Sequence, residues 1–172
     1  MKTSPSCRLR AGRWTRGQLR ALHRHVVTRV LPYSPEQLFA LVGDVEAYPQ
    51  FVPWITAMRT WNGRQDDTVS TVDAEAQVGF SFLREKFATR VRRDPEHLTV
   101  DVSLLYGPFK RLSNQWKFSP QGNETLVEFV IDFAFKSRML DALLAANLDR
   151  AADKLIACFE ARARAIHGAP GA

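Results

Sequence analysis

The sequence predicts an α+β domain in which a curved, seven-stranded antiparallel sheet wraps around one long C-terminal helix, with two short helices after the first strand. Three observations carry that prediction. From Ser137 to Ile166, apolar residues fall at Leu140, Leu143, Leu144, Leu148, Ala151, Leu155, Phe159, Ala163 and Ile166, the three- and four-residue spacing of a helix face. Asp141, Asp149, Arg150, Asp153, Lys154, Glu160, Arg162 and Arg164 take the other face. A helix of about 30 residues is ~45 Å long and needs a broad partner surface. The second observation is that residues 55–135 alternate apolar and polar side chains between short turns, which makes consecutive strands antiparallel neighbours. The third is the absence of strand–helix–strand alternation, which excludes a dinucleotide-binding fold.

Taken in order, residues 1–20 show no packing periodicity and read as a basic, disordered extension, residues 21–167 as the domain, and 168–172 as a tail. Leu22 to Val30 reads as a first strand, with Val26, Thr28 and Val30 on one face. Tyr33-Ser34-Pro35-Glu36-Gln37-Leu38 is a helix start: Ser34 is the N-cap, Pro35 sits at N1, Gln37 completes a capping box and Tyr33 staples onto Leu38. Gly43 ends that helix, and Asp44 caps a short turn running to Gln50. Pro53 then breaks the helical stretch and leaves Phe51-Val52-Pro53-Trp54-Ile55 as an apolar loop.

The strands follow. Ile55 to Trp61 ends at an Asn62-Gly63 turn, and Thr68 to Val78 puts Val72, Ala74, Ala76 and Val78 on one face before a corner at Gly79-Phe80-Ser81-Phe82. Leu83 to Arg93 sets Leu83, Phe87 and Val91 against Arg84, Lys86, Arg90 and Arg92. His97 to Tyr106, Arg111 to Phe118 and Leu126 to Phe135 complete the set, with turns at Asp94-Pro95-Glu96, Gly107-Pro108 and Pro120 to Asn123. Ser137 caps the final helix, while Gly168 and Pro170 stop it.

A chain of 172 residues suffices for one domain with a sizeable core. Cys7 and Cys158 form neither a disulfide framework nor a metal-ligand spacing, the pattern of a reducing compartment. No run of 18 apolar residues is present to span a membrane. The formal charge of +6 is uneven: residues 1–35 hold eight basic residues and no acidic one, and the remainder holds 16 basic and 18 acidic. Four readings of that basic start stay open: a bland tail, contact with anionic lipid, an organelle-targeting segment, or contact with nucleic acid.

A bent sheet gripping one helix leaves a space whose filling depends on the inward residues. Ala74 and Ala76 on the sheet, with Ala145, Ala151 and Ala152 on or beside the helix stripe, are small where full packing would use Leu or Phe. Phe87, Leu104, Trp116, Phe129, Ile131 and Leu144 are expected as walls. Asn114 and Glu85 fall on the inward register, where each must find a partner, meet a ligand's polar end, or slip to solvent at a bulge. Phe51, Pro53 and Trp54, with the Leu105 to Phe109 turn, are expected at the mouth, either as a lid or as plain core cover. His23, His25, His97 and His167 pair with no Cys, Ser or carboxylate at a triad or metal spacing, and no phosphate-binding glycine loop, HExxH or CxxC occurs. The residues therefore point to a binding protein and not to an enzyme.

Tyr33-Ser34-Pro35-Glu36-Gln37-Leu38-Phe39-Ala40-Leu41-Val42, followed by Asp44-Val45-Glu46-Ala47-Tyr48-Pro49-Gln50-Phe51-Val52-Pro53-Trp54, resembles the coenzyme Q-binding protein COQ10 family. That group includes the bacterial RatA-like proteins of the START, or polyketide cyclase-like (SRPBCC), superfamily. The resemblance runs from about residue 24 to 166, and the basic residues before His23 lie outside it. It implies a helix-grip (START/Bet v 1-like) fold with an apolar tunnel and no covalent cofactor. It implies ubiquinone or a similar isoprenoid lipid as ligand, bound or delivered in support of respiration. The expected location is the cytoplasm, peripheral to an anionic respiratory membrane, or the matrix side in a mitochondrion. Asp44, Tyr48, Pro49, Phe51, Pro53 and Trp54 match the family segment and are expected to shape the opening. The alternative within the same group is a RatA-like protein that binds the large ribosomal subunit and blocks subunit association; a third reading is an aromatase/cyclase-like enzyme.

Overall fold

The structure, a computed structural model, describes residues 23–80 and 83–169. The expected disorder of residues 1–20 and the second half of the corner at Ser81-Phe82 lie outside the described residues. Among those described, the elements are β1 (His23–Leu31), α1 (Pro35–Gly43), a 3₁₀ turn (Val45–Gln50), β2 (Ile55–Asp66), β3 (Val69–Phe80), β4 (Leu83–Asp94), β5 (Thr99–Tyr106), β6 (Phe109–Gln121), β7 (Glu124–Phe135), α2 (Arg138–Ala145) and α3 (Leu148–His167). The strands form a single antiparallel sheet in the order β1-β7-β6-β5-β4-β3-β2. The first strand thus closes onto the last, and the C-terminal helix packs across the inner face.

The helix start at Ser34 forms as the residues dictate. The Ser34 hydroxyl accepts from the Gln37 amide at 3.2 Å and the Gln37 side chain accepts from the Ser34 amide at 2.9 Å. Ser137 likewise accepts from the Leu140 amide and starts α2. Gly168, at φ +83°, ends α3 in a conformation that side chains disfavour.

Two local expectations change. Asn62-Gly63 does not end a hairpin. β2 continues to Asp66, and the φ of +52° at Asn62 makes a bulge between Trp61 and Arg64. Ser137 to Ile166 is two helices and not one, because the chain turns at Ala146-Asn147. There the Asn147 amide bonds to the Leu144 carbonyl, and its side chain donates to the Leu143 carbonyl. That break resets the phase of the apolar stripe. Ala152, Ile156, Phe159 and Ala163 are the buried face of α3, whereas Leu143 and Ile166 are 49% and 51% exposed. The Val26, Thr28 and Val30 face of β1 forms and points outward, since Val27 and Leu31 are the buried pair.

Candidate functional site: the apolar interior and the outer sheet face

The core divides in two. The larger cluster gathers Val27, Tyr33, Leu38, Val42, Ala74, Val91, Val100, Trp116, Phe118, Phe129 and, from α3, Ile156, Phe159 and Ala163. Phe159 is its hub, with ring centroids 5.2 Å from both Tyr48 and Phe51 and 5.1 Å from Trp116. The Tyr48 hydroxyl donates to the Val42 carbonyl at 2.6 Å, and burial, followed by the nearby Asp44 carboxylate, pushes its pKa well above the usual phenol range. The smaller cluster, of Leu112, Phe133 and Phe135, takes in Phe87, Leu104, Phe109, Leu140, Leu144 and Leu148. Ile131 touches both.

Cover is incomplete between the clusters. Val102, Leu104, Asn114 and Ile131 lie on the inner face of the three central strands and yet are only half-buried. Their neighbours Val100, Leu112, Trp116, Phe129 and Phe133 are buried. Asn114 holds the expected inward register, opposite Val102 and Ile131, and its side-chain oxygen is sealed with no hydrogen-bond partner. A sealed, unpaired acceptor costs about 1–3 kcal/mol. Glu85 shares the inward side of β4 with Phe87 and is half-buried.

The residues expected to line a cavity separate accordingly. Ala74, Trp116 and Phe129 belong to the larger cluster, with Phe51 packed against it. Phe87, Leu104 and Leu144 meet in the smaller one. Ala151 is half-buried on the flank of α3, while Ala152 is in the core; nothing is described for the Ala145 side chain. In the apolar loop, Val52 is fully buried, Pro53 is exposed and Trp54 is half-buried, with its carbonyl accepting from the Gly79 amide. Phe51 is edge-on to Tyr48 and Phe159 beneath the Arg162 guanidinium. Sequence reasoning missed the fastening of β1 to α3, where His25 meets Asp149 at 3.0 Å and Arg29 meets Asp153 at 2.6 Å. No spacing signalled it, because four residues span ~13 Å along a strand and ~6 Å along a helix.

The outer face of the sheet is polar. A groove of about 530 Å³ runs across it, lined among others by Arg24, Arg90, Arg92, Ser113 and Gln115, with Asp101 and Asp132. Asp73 anchors this face. It is 3% exposed, receives two bonds from Arg90 at 2.8 and 3.1 Å and one from Asn62 at 3.0 Å, and these bonds hold its carboxyl below the usual range. At Asp94, burial acts to raise the pKa, but bonds from His97 and Arg92 outweigh it and hold the value at about 2. Among the described residues no group of three His, Cys, Asp or Glu side chains could hold a metal, and no helix is long and apolar enough to cross a membrane.

The profile of the family described as polyketide cyclase/dehydrase and lipid transport matches residues 31–160. The chain belongs to that family. Within it, a ribosome association toxin RatA from Rickettsia prowazekii is 34% identical over 142 residues, covering 81% of this chain and 94% of that protein. A coenzyme Q-binding protein COQ10 homolog B, mitochondrial, from Xenopus laevis is 28% identical over 145 residues, covering 82% of this chain but 58% of that protein. An 18 kDa protein from Caulobacter crescentus, solved in solution, is 78% identical, with a TM-score of 0.74 over 86% of this chain and 99% of that one. The helix-grip architecture read from the residues is thus the family's own.

Proposed function

We propose that this protein is a RatA-type, non-enzymatic binding protein that associates with the large ribosomal subunit. The observation that carries this reading is the match to the Rickettsia RatA protein, which spans 94% of it at 34% identity. The slightly acidic balance of the body does not oppose ribosome binding, because its charge is not evenly spread. The outer side of β4 presents Arg84, Lys86, Arg90 and Arg92 in one row. Asp101 and Asp132 in the adjoining groove are engaged by Arg92 and Gln115 and by Arg111. A row of cationic side chains on β4, with Ser113 and Gln115 across the groove on β6, suits a phosphate backbone.

The test is co-sedimentation with purified large subunits. Binding should fall steeply with salt, and Arg24→Glu/Arg92→Glu should weaken it by about tenfold or more. Absence of binding at low salt, or binding indifferent to that variant, would remove the proposal.

A second reading rests on the incomplete cover between the two clusters: we propose that an apolar molecule inserts there, for which ubiquinone or a related isoprenoid lipid is the candidate. Half-exposed Val102, Leu104 and Ile131 support it. Organic extraction of the purified protein followed by mass spectrometry should find an isoprenoid lipid. Protein that carries none and takes up none when offered would exclude this ligand class.

A further inference from the structure

Helix α2 is apolar on both sides. Its eight residues include only Arg138 and Asp141 as polar groups, and Asp141 is turned onto the Phe135 amide at 3.0 Å. Leu140 and Leu144 face the smaller core cluster. Met139 and Leu143, one helical turn apart, point the other way and are 70% and 49% exposed. A helix that is hydrophobic all round belongs inside a core or against lipid, and this one has a core on one side only.

Its surroundings are basic and carry further exposed apolar groups. The Lys136 amide and amine donate to the Pro108 and Gly107 carbonyls, both at 2.8 Å, which ties the start of α2 to the β5–β6 turn. Leu105 and Tyr106, just before that turn, are exposed. Lys136, Arg138 and Lys110 are exposed beside it.

We propose that α2, together with the Leu105–Pro108 turn, is a docking surface for an anionic lipid bilayer. Charge complementarity selects that occupant. Anionic headgroups meet the cations, and the acyl boundary takes Met139 and Leu143, which a phosphate backbone would leave in water. The surface is separate from the groove on the outer sheet face, so the proposal stands or falls apart from ribosome binding and from the identity of any interior ligand.

The experiment is flotation of the full chain with vesicles of phosphatidylcholine alone and of phosphatidylcholine mixed with phosphatidylglycerol. The wild type should partition to the mixed vesicles and not to the neutral ones, and less so as salt rises. Met139→Asp/Leu143→Asp, and separately Lys110→Glu/Arg138→Glu, should each weaken partitioning by about tenfold or more. Circular dichroism and melting should stay at wild-type values, since the altered side chains are exposed. If the aspartate pair fails to fold, Met139→Ser/Leu143→Ser replaces it. Wild-type partitioning by both variants would place lipid contact elsewhere in the chain and overturn the proposal. So would equal binding to neutral vesicles, or RNA binding lost in the charge-reversed pair with no vesicle binding in the wild type.

Discussion

Two adjacent alanines on α3 offer a direct measure of whether the interior is filled. Ala152 is 5% exposed within the larger cluster, whereas its neighbour Ala151 is half-buried between Leu148 and Leu155 on the helix flank. A phenylalanine at 152 has to displace packed neighbours, and overpacking of that kind costs about 1–3 kcal/mol. For a chain of this size that is a fall in Tm of roughly 2–4 °C per kcal/mol, or about 2–12 °C. A phenylalanine at 151 has room, so its cost should stay under about 1 kcal/mol. Urea unfolding of both variants gives the stabilities, and uptake of a short-chain quinone by fluorescence quenching gives the occupancy. Ala151→Phe should keep its stability and lose most of its uptake. Equal destabilisation by the two, or unchanged uptake in Ala151→Phe, would show that the region is solid and that the argument from incomplete cover fails.

Phe159→Ala removes the ring that Tyr48, Phe51 and Trp116 share and should cost about 3–5 kcal/mol in urea unfolding. Gly107→Ala would place a Cβ 2.4 Å from that of Phe87 at a φ of +145°. Such a clash should lower Tm by several degrees, about 1–3 kcal/mol, and disturb the β5–β6 turn before the rest of the fold. Asp73 and Asp94 both have folded-state pKa values below the ordinary carboxylate value, so they stabilise the fold above the unfolded pKa and lose that effect as pH falls through the folded one. Stability should therefore decline from about pH 4 towards pH 2, and Asp94→Asn should flatten the decline when melting is followed across that range.

Most of the fold was readable because its signals are local and strong. The capping box at Ser34, the period-two strands and the cap at Ser137 each depend on a few neighbouring residues, and each formed as expected. The misreadings share a different origin. Asn62-Gly63 has the composition of a hairpin turn, but only the pairing partner, β3, decides that it is a bulge. Asn147 interrupts an otherwise continuous helical pattern, and a single polar residue between alanines and leucines gives no sign that its side chain will turn back on the preceding carbonyls. The inward faces of the strands were legible, but Trp116, Phe129, Phe87 and Leu104 were read as walls of one space, whereas Trp116, Phe129 and Ala74 pack in one cluster and Phe87, Leu104 and Leu144 in the other. What periodicity could not supply was the division between the clusters, because that depends on where α3 crosses the sheet.

The pairing of β1 with β7 also has a consequence for how the chain is made. His23 lies opposite Phe133 and Leu31 opposite Thr125, so the opening strand waits for about a hundred further residues before it has a neighbour. During synthesis the hairpins from β2 to β6 can assemble in turn, each on the last, while β1 stays an unsatisfied edge. Closure of so distant a contact is slow, and the nascent protein is most open to mispairing just before β7 emerges.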